Sequence, residues 1–235
     1  MLLRKPFQNS PVVARVAPFV VFLLLTYGQG KLGEQSRYWF YFAKTLVGAW
    51  MIWEMRPFVT ELRAHFSWEA VAVGVGVCVM WVGLDGFYPK LSELSAKVGL
   101  SKGAPAGLAL SWNPHLQFGD GTMLAWFFIA ARILGSSLVV PVLEEVFFRS
   151  FLYRYIVKSD FQSVSLGFFA WMPFLVTAVI FGFEHEEWLA GILCAFAYQG
   201  LVLWKKRLGD AIVAHAITNL LLGLWVVWKG AWQFW

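Results

Sequence analysis

Apolar runs close to twenty residues long recur along almost the whole chain, and no other feature constrains its fold as strongly. A run of that length crosses a hydrocarbon core of about 30 Å as one helix. Lipid offers no water to unpaired backbone groups, so continuous runs of this kind must be helical. They read from about Val12 to Tyr27, Tyr38 to Met55, Trp68 to Phe87, Val164 to Phe183, Trp188 to Trp204 and Ala211 to Trp228. A longer apolar stretch runs from Thr122 to Val157, where Gly135, Ser136, Ser137 and Pro141 mark the expected break or kink. The expectation is an all-α polytopic membrane bundle of seven transmembrane helices, or eight if that stretch divides. Residues 1–235 are expected to form a single integral membrane domain.

Composition narrows the class further. Of 235 residues, 59% are hydrophobic and 14% charged, against about 25% charged in a soluble domain. That excludes a soluble enzyme, a disordered chain and a disulfide-rich secreted module. The net charge of +5 comes from Lys and Arg that mostly flank the apolar runs. Such placement fits the orientation rule for membrane helices rather than nucleic-acid docking. Cys78 and Cys194 lie inside apolar runs and form no CxxC motif. Arg4 and Lys5 precede the first run, but no small-residue cleavage site follows it, so it is expected to be retained. Lys44, inside the second run, is expected to snorkel to an interface. Residues 88–121 do not read as a span. Pro89 to Leu100 is expected to form a short interfacial helix, and the segment to serve as a lid or a plain connector.

Ionisable residues within a bilayer are costly, roughly 2.5–3.5 kcal/mol at a helix centre, and are functional candidates by default. The first group is Glu144-Glu145-Val-Phe-Phe-Arg149. Glu145 and Arg149 stand four apart and can pair on one helix face. Glu144 projects about 100° away, free for chemistry. As a purely structural alternative, both acids would neutralise Arg149 and lock helices together. The second group is Phe181-Gly-Phe-Glu-His185. No HExxH zinc motif forms there, since Leu189 stands where the second His would be. The third is His215-Ala-Ile-Thr-Asn219, whose spacing puts imidazole and carboxamide on one helix face. Those two side chains could equally be hydrogen-bonding glue between helices.

Taken in order on successive apolar helices, Glu-Glu-x-x-x-Arg, Phe-x-x-x-His and His-x-x-x-Asn resemble the CPBP family, the type II CAAX prenyl endopeptidases and the related bacterial Abi proteins. The resemblance covers roughly Pro141 to Asn219, within a family-like catalytic core of about 122–228; the first 120 residues match in hydropathy only. Ser150 stands where bacterial members often have Gly. The resemblance implies an intramembrane active site and glutamate-dependent proteolysis. Glu144 would be the general base activating a water, helped by His185. His215 and Asn219 would hold that water or the oxyanion, and Glu145 and Arg149 would support the site. It implies no metal and no cofactor, a membrane-associated protein or peptide as substrate, and the lipid bilayer as the other partner, with no nucleic acid. The expected location is the bacterial inner membrane. Arg56 and Glu61-Leu62-Arg63 resemble a bacterial branch that accompanies exosortase systems, which process carboxy-terminal sorting tags; no diagnostic motif accompanies them.

Three rivals stand beside that reading. A zinc metalloprotease would use His185, His215 and Glu144 as ligands. An immunity or scaffold protein would use the same fold without proteolysis. A small transporter would relay protons through buried Glu and His. The topology also stays open. Seven spans with a cytoplasmic N-terminus suit the Lys and Arg counts but send Glu144 and His185 toward opposite faces unless helices tilt or break. Eight spans bring them together but put Lys205 to Arg207 on the wrong side.

Overall fold

The computed structural model describes residues 4–99 and 112–235, and these are helical with no strand among them. The longer helices are α1 (Pro11–Tyr27), α2 (Ser36–Met55), α3 (Trp68–Gly83), α4 (Met123–Val157), α5 (Trp171–Gly182), α6 (Trp188–Lys205) and α7 (Gly209–Lys229). Among the described residues, α4, α6 and α7 are long and apolar enough to cross a membrane; α1, α3 and α5 are apolar but shorter.

Local chemistry sets the helix starts. Ser10 caps α1 by accepting the Val13 N–H, and Pro11 occupies the first position, where no N–H is needed. Ser67 caps α3 through the Ala70 N–H and also donates to Asp210 at the start of α7, tying the two helix ends together. Farther along, α3 and α7 touch at Gly74, where an added Cβ would lie 2.6 Å from the Ala214 carbonyl oxygen. Small residues permit such approach between membrane helices.

Three expectations need correction. Residues 123–157 are one helix of 35 residues, not two spans. The expected break is instead a change of pitch, with π turns at Gly135–Val139 and Val146–Leu152. Residues 164–170 lie outside α5, which starts only at Trp171. Pro173 lies in the first turn of α5, where its missing N–H leaves no helix hydrogen bond unmade. The preceding backbone is held by Tyr153, whose hydroxyl donates to the Phe168 carbonyl and accepts the Ala170 N–H. Finally, Lys44 does not snorkel. It is buried, and its Nζ donates to Thr26 Oγ1 of α1 at 2.8 Å.

Ahead of α4, Leu91–Lys97 is helical, as expected for the start of the 88–121 segment. Its remainder from Leu100 through Ser111 lies outside the described residues. The described part is strapped to the turn between α5 and α6. Trp188 donates its indole N–H to the Pro89 carbonyl, Lys90 pairs with Glu187 at 2.9 Å, and the Tyr88 hydroxyl donates to Glu187 at 3.1 Å. Burial, reinforced by the Glu187 charge, pushes the Tyr88 hydroxyl up to about 12, so it remains a donor at neutral pH.

On another side of the bundle, Glu61 joins α1 to α4. Arg15 reaches one of its oxygens at 2.6 Å and Arg154 the other. Ser150 Oγ accepts from both guanidiniums at 3.0 Å, so the serine found in place of glycine is an acceptor here.

Candidate active site

The two π turns flank the paired acids, and the first leaves a carbonyl unpaired. Within it the Val140 N–H donates to Gly135 O. The next backbone nitrogen belongs to Pro141 and carries no hydrogen. The Ser136 carbonyl therefore lacks a main-chain donor, and Asn219 of α7 supplies one, its Nδ2 lying 2.8 Å from Ser136 O. Isolated π turns of this kind gather at functional sites.

The second turn carries Arg149, whose Nε lies 3.2 Å from Glu145 Oε2, the pair expected from their spacing. Glu145 is fully buried and its other oxygen accepts from His215 Nδ1 at 3.0 Å. A proton on Nδ1 leaves Nε2 as the reactive nitrogen. Nε2 faces Glu144, 3.9 Å from Oε2, which has no hydrogen-bond partner of its own. A polar gap of that width is one that water can bridge. Arg149, Glu145, His215 and Glu144 thus form a line from a buried cation to a carboxylate open to the cavity.

Aromatic packing holds the imidazole in place. Tyr198 stacks on His215 with ring centroids 5.0 Å apart, and its hydroxyl donates to Thr218 Oγ1 at 2.7 Å. Thr218 donates to Gly74 O, so the close α3–α7 crossing also braces the ring. His185 sits past the end of α5, its Nδ1–H donating to Phe181 O at 2.8 Å and its ring against Trp81.

Glu144, His185, His215 and Asn219 all line one cavity of about 390 Å³. The topological conflict between Glu144 and His185 has a simple cause. With 12 residues, α5 rises only about 18 Å, so the turn after it stops beside the middle of the much longer α4. The structure does not aim all four side chains at one point. Asn219 spends one N–H on Ser136, while His215 is directed between Glu145 and Glu144. Among the described residues, no three His, Cys, Asp or Glu side chains cluster as a metal site would.

Lys44, Arg132, Ser136 and Tyr198 are among the lining residues that sequence reasoning did not assign to the site. Lys44 carried a usable signal, being a cation in mid-run. Ser136 enters through its backbone carbonyl, which leaves no mark on residue type.

Residues 125–221 match the family model described as type II CAAX prenyl endopeptidase Rce1-like. Over that segment the chain is similar to the family. The matched segment starts within α4, ends within α7 and contains Glu144, Glu145, Arg149, His185, His215 and Asn219, in agreement with the CPBP resemblance. The family is generally one of proteases and supports a CAAX-type intramembrane protease fold. Comparison with curated proteins and with solved structures returns no match.

Proposed function

We propose that the protein is a membrane-embedded endopeptidase that hydrolyses a peptide bond near the carboxy-terminus of a membrane-associated protein or peptide, prenylated or sorting-tagged. The observation that carries this reading is the line Arg149–Glu145–His215–Glu144 ending in a cavity shared with His185 and Asn219.

In the proposed reaction, water attacks the scissile carbonyl carbon while Glu144 accepts its proton. His215, oriented by Glu145, and His185 position that water. The second N–H of Asn219 steadies the oxyanion as charge develops. The C–N bond then breaks, the proton held by Glu144 passes to the departing amine, and a carboxylic acid remains on the other fragment. Glu145 and Arg149 act through His215 and do not touch substrate. The whole chain serves as one membrane domain, with its catalytic core at about 122–228. Seven crossings and the bacterial inner membrane complete the proposal.

Purified protein in detergent tests this reading. Release of a new amine from a carboxy-terminal peptide should survive dialysis against chelator. Loss of activity with stoichiometric zinc, and its return when zinc is restored, would replace this mechanism with a metalloprotease. Absence of any cleavage of prenylated and unprenylated peptides would leave the fold without the activity, as a scaffold protein has it.

A further inference from the structure

Lys44 and Arg132 line the same cavity as Glu144; Lys44 interacts electrostatically with Glu144, but among the described residues neither cation is in direct ion-pair contact with an acidic side chain. Lys44 is 5% exposed, and among the described residues its ammonium has Thr26 Oγ1 as its one hydrogen-bond acceptor. Its Nζ lies over the rings of Phe22 and Tyr41 at 4.5 and 4.6 Å. Arg132 is held by rings as well, its Cζ lying 4.8 Å from the Tyr41 centroid and 4.5 Å from that of Trp112. Two cations on one tyrosine, with donors to spare and no carboxylate in direct contact among the described residues, form a site prepared for an anion. Buried charges are ordinarily paired, and rings alone compensate an ammonium only in part.

We propose that Lys44 and Arg132 form the subsite that captures the free α-carboxylate at the end of the peptide substrate. This inference rests on the endopeptidase reading above. Glu144 and Glu184 also line the cavity, so a peptide acid entering it is repelled by those carboxylates and attracted at the two cations. The carboxylate is drawn to Lys44 and Arg132, and the chain before it extends toward Glu144. Phe19, Phe22 and Leu23 give the cavity an apolar wall, matching aliphatic side chains in the residues that precede the carboxylate. A volume of about 390 Å³ holds a short peptide end rather than a folded segment. Cleavage near a carboxy-terminus would then follow from measuring distance from the terminal charge.

A dansylated Gly-Val-Ile-Leu tetrapeptide, made as free acid and as carboxy-terminal amide, tests this directly. Binding is measured by fluorescence on detergent-solubilised Glu144→Gln protein, which isolates capture from turnover. The acid should bind about tenfold more tightly than the amide, the scale of a charge-assisted contact. Arg132→Gln or Lys44→Met, each added to Glu144→Gln, should bring the acid to the affinity of the amide, and Arg132→Lys should keep most of the preference. Equal binding of acid and amide, or binding of neither, overturns the proposal. Phosphatidylglycerol added to the micelles provides the other arm. If it displaces the acid in an Arg132-dependent manner where phosphatidylcholine does not, the cations serve a lipid headgroup and the proposal fails. Wild-type turnover separates the two levels. Selective capture of the acid without amine release removes the endopeptidase reading and leaves the anion subsite. Equal cleavage of acid and amide removes the subsite and leaves the endopeptidase.

Discussion

Adjacent Glu144 and Glu145 illustrate how one helix separates two roles. Glu145 is enclosed between Arg149 and His215, whereas Glu144 opens on the cavity. Replacing Glu145 by Ala leaves the Arg149 guanidinium buried without its acid, a change costing about 3–5 kcal/mol. Glu145→Ala protein should therefore show a lower melting temperature and folded yield, read by thermal denaturation in detergent. An unchanged melting temperature would mean that the pair contributes nothing to folding. Asn219 makes a different demand. Asn219→Ala strands the Ser136 carbonyl and should cost about 1–3 kcal/mol, and Asn219→Asp, with no N–H to give, should fare no better. Thermal melts that leave both variants at wild-type stability would remove the contact from the fold. The Glu145–Arg149 pair was legible from spacing alone. The Glu145–His215 bond was not, because residues 70 positions apart meet only through packing of α4 against α7.

Helices in this bundle are joined by polar ties that hydropathy cannot display. Burial raises the carboxyl pKa of Glu61, but Arg15 and then Arg154 overcome that effect and hold it below the ordinary value. A depressed folded pKa contributes stability that is complete above the unfolded value of about 4.3 and is lost as pH falls through the folded value. The tie between α1 and α4 should accordingly persist at neutral pH and weaken below about pH 4.3. Melting temperatures across pH 3 to 7 should fall at the acid end in wild type, and Glu61→Gln should flatten that fall. Equal slopes in the two proteins would dismiss the tie as a source of acid sensitivity. A second tie is the strap on the α5–α6 turn. Lys90→Ala combined with Tyr88→Phe removes both of these donors to Glu187 and loosens the turn that carries His185, leaving the Trp188–Pro89 bond in place. Turnover should drop several-fold with little change in melting temperature, as measured by initial rates per folded molecule; unchanged rates would make the strap a simple connector. Apolar runs revealed most of these helices to within a few residues. They failed at residues 164–170 because hydropathy registers apolar character and is blind to the Tyr153 hydroxyl that holds the Phe168 and Ala170 backbone outside the helix.

At the scale of the whole molecule, a long α4 with two π turns meets a short α5 and a close-packed α7 around one cavity. That conjunction explains how a carboxylate of α4, a histidine of α7 and a histidine of the turn after α5 share a space walled by aromatic rings. The helical class was legible in the chain because lipid permits little else, and the candidate residues because ionisable groups are rare in apolar runs. The cavity's cationic side was hidden: Lys44 could have reached an interface, and only the position of Thr26 on α1 shows that it turns inward. The decisive measurement is turnover of a carboxy-terminal peptide by protein reconstituted in liposomes, wild type beside Glu144→Gln, each normalised to folded molecules. A base acting at the reacting water predicts a loss of at least about 10²-fold in rate, with the melting temperature held close to that of wild type. Glu144→Gln protein that is folded and cleaves at the wild-type rate would contradict it.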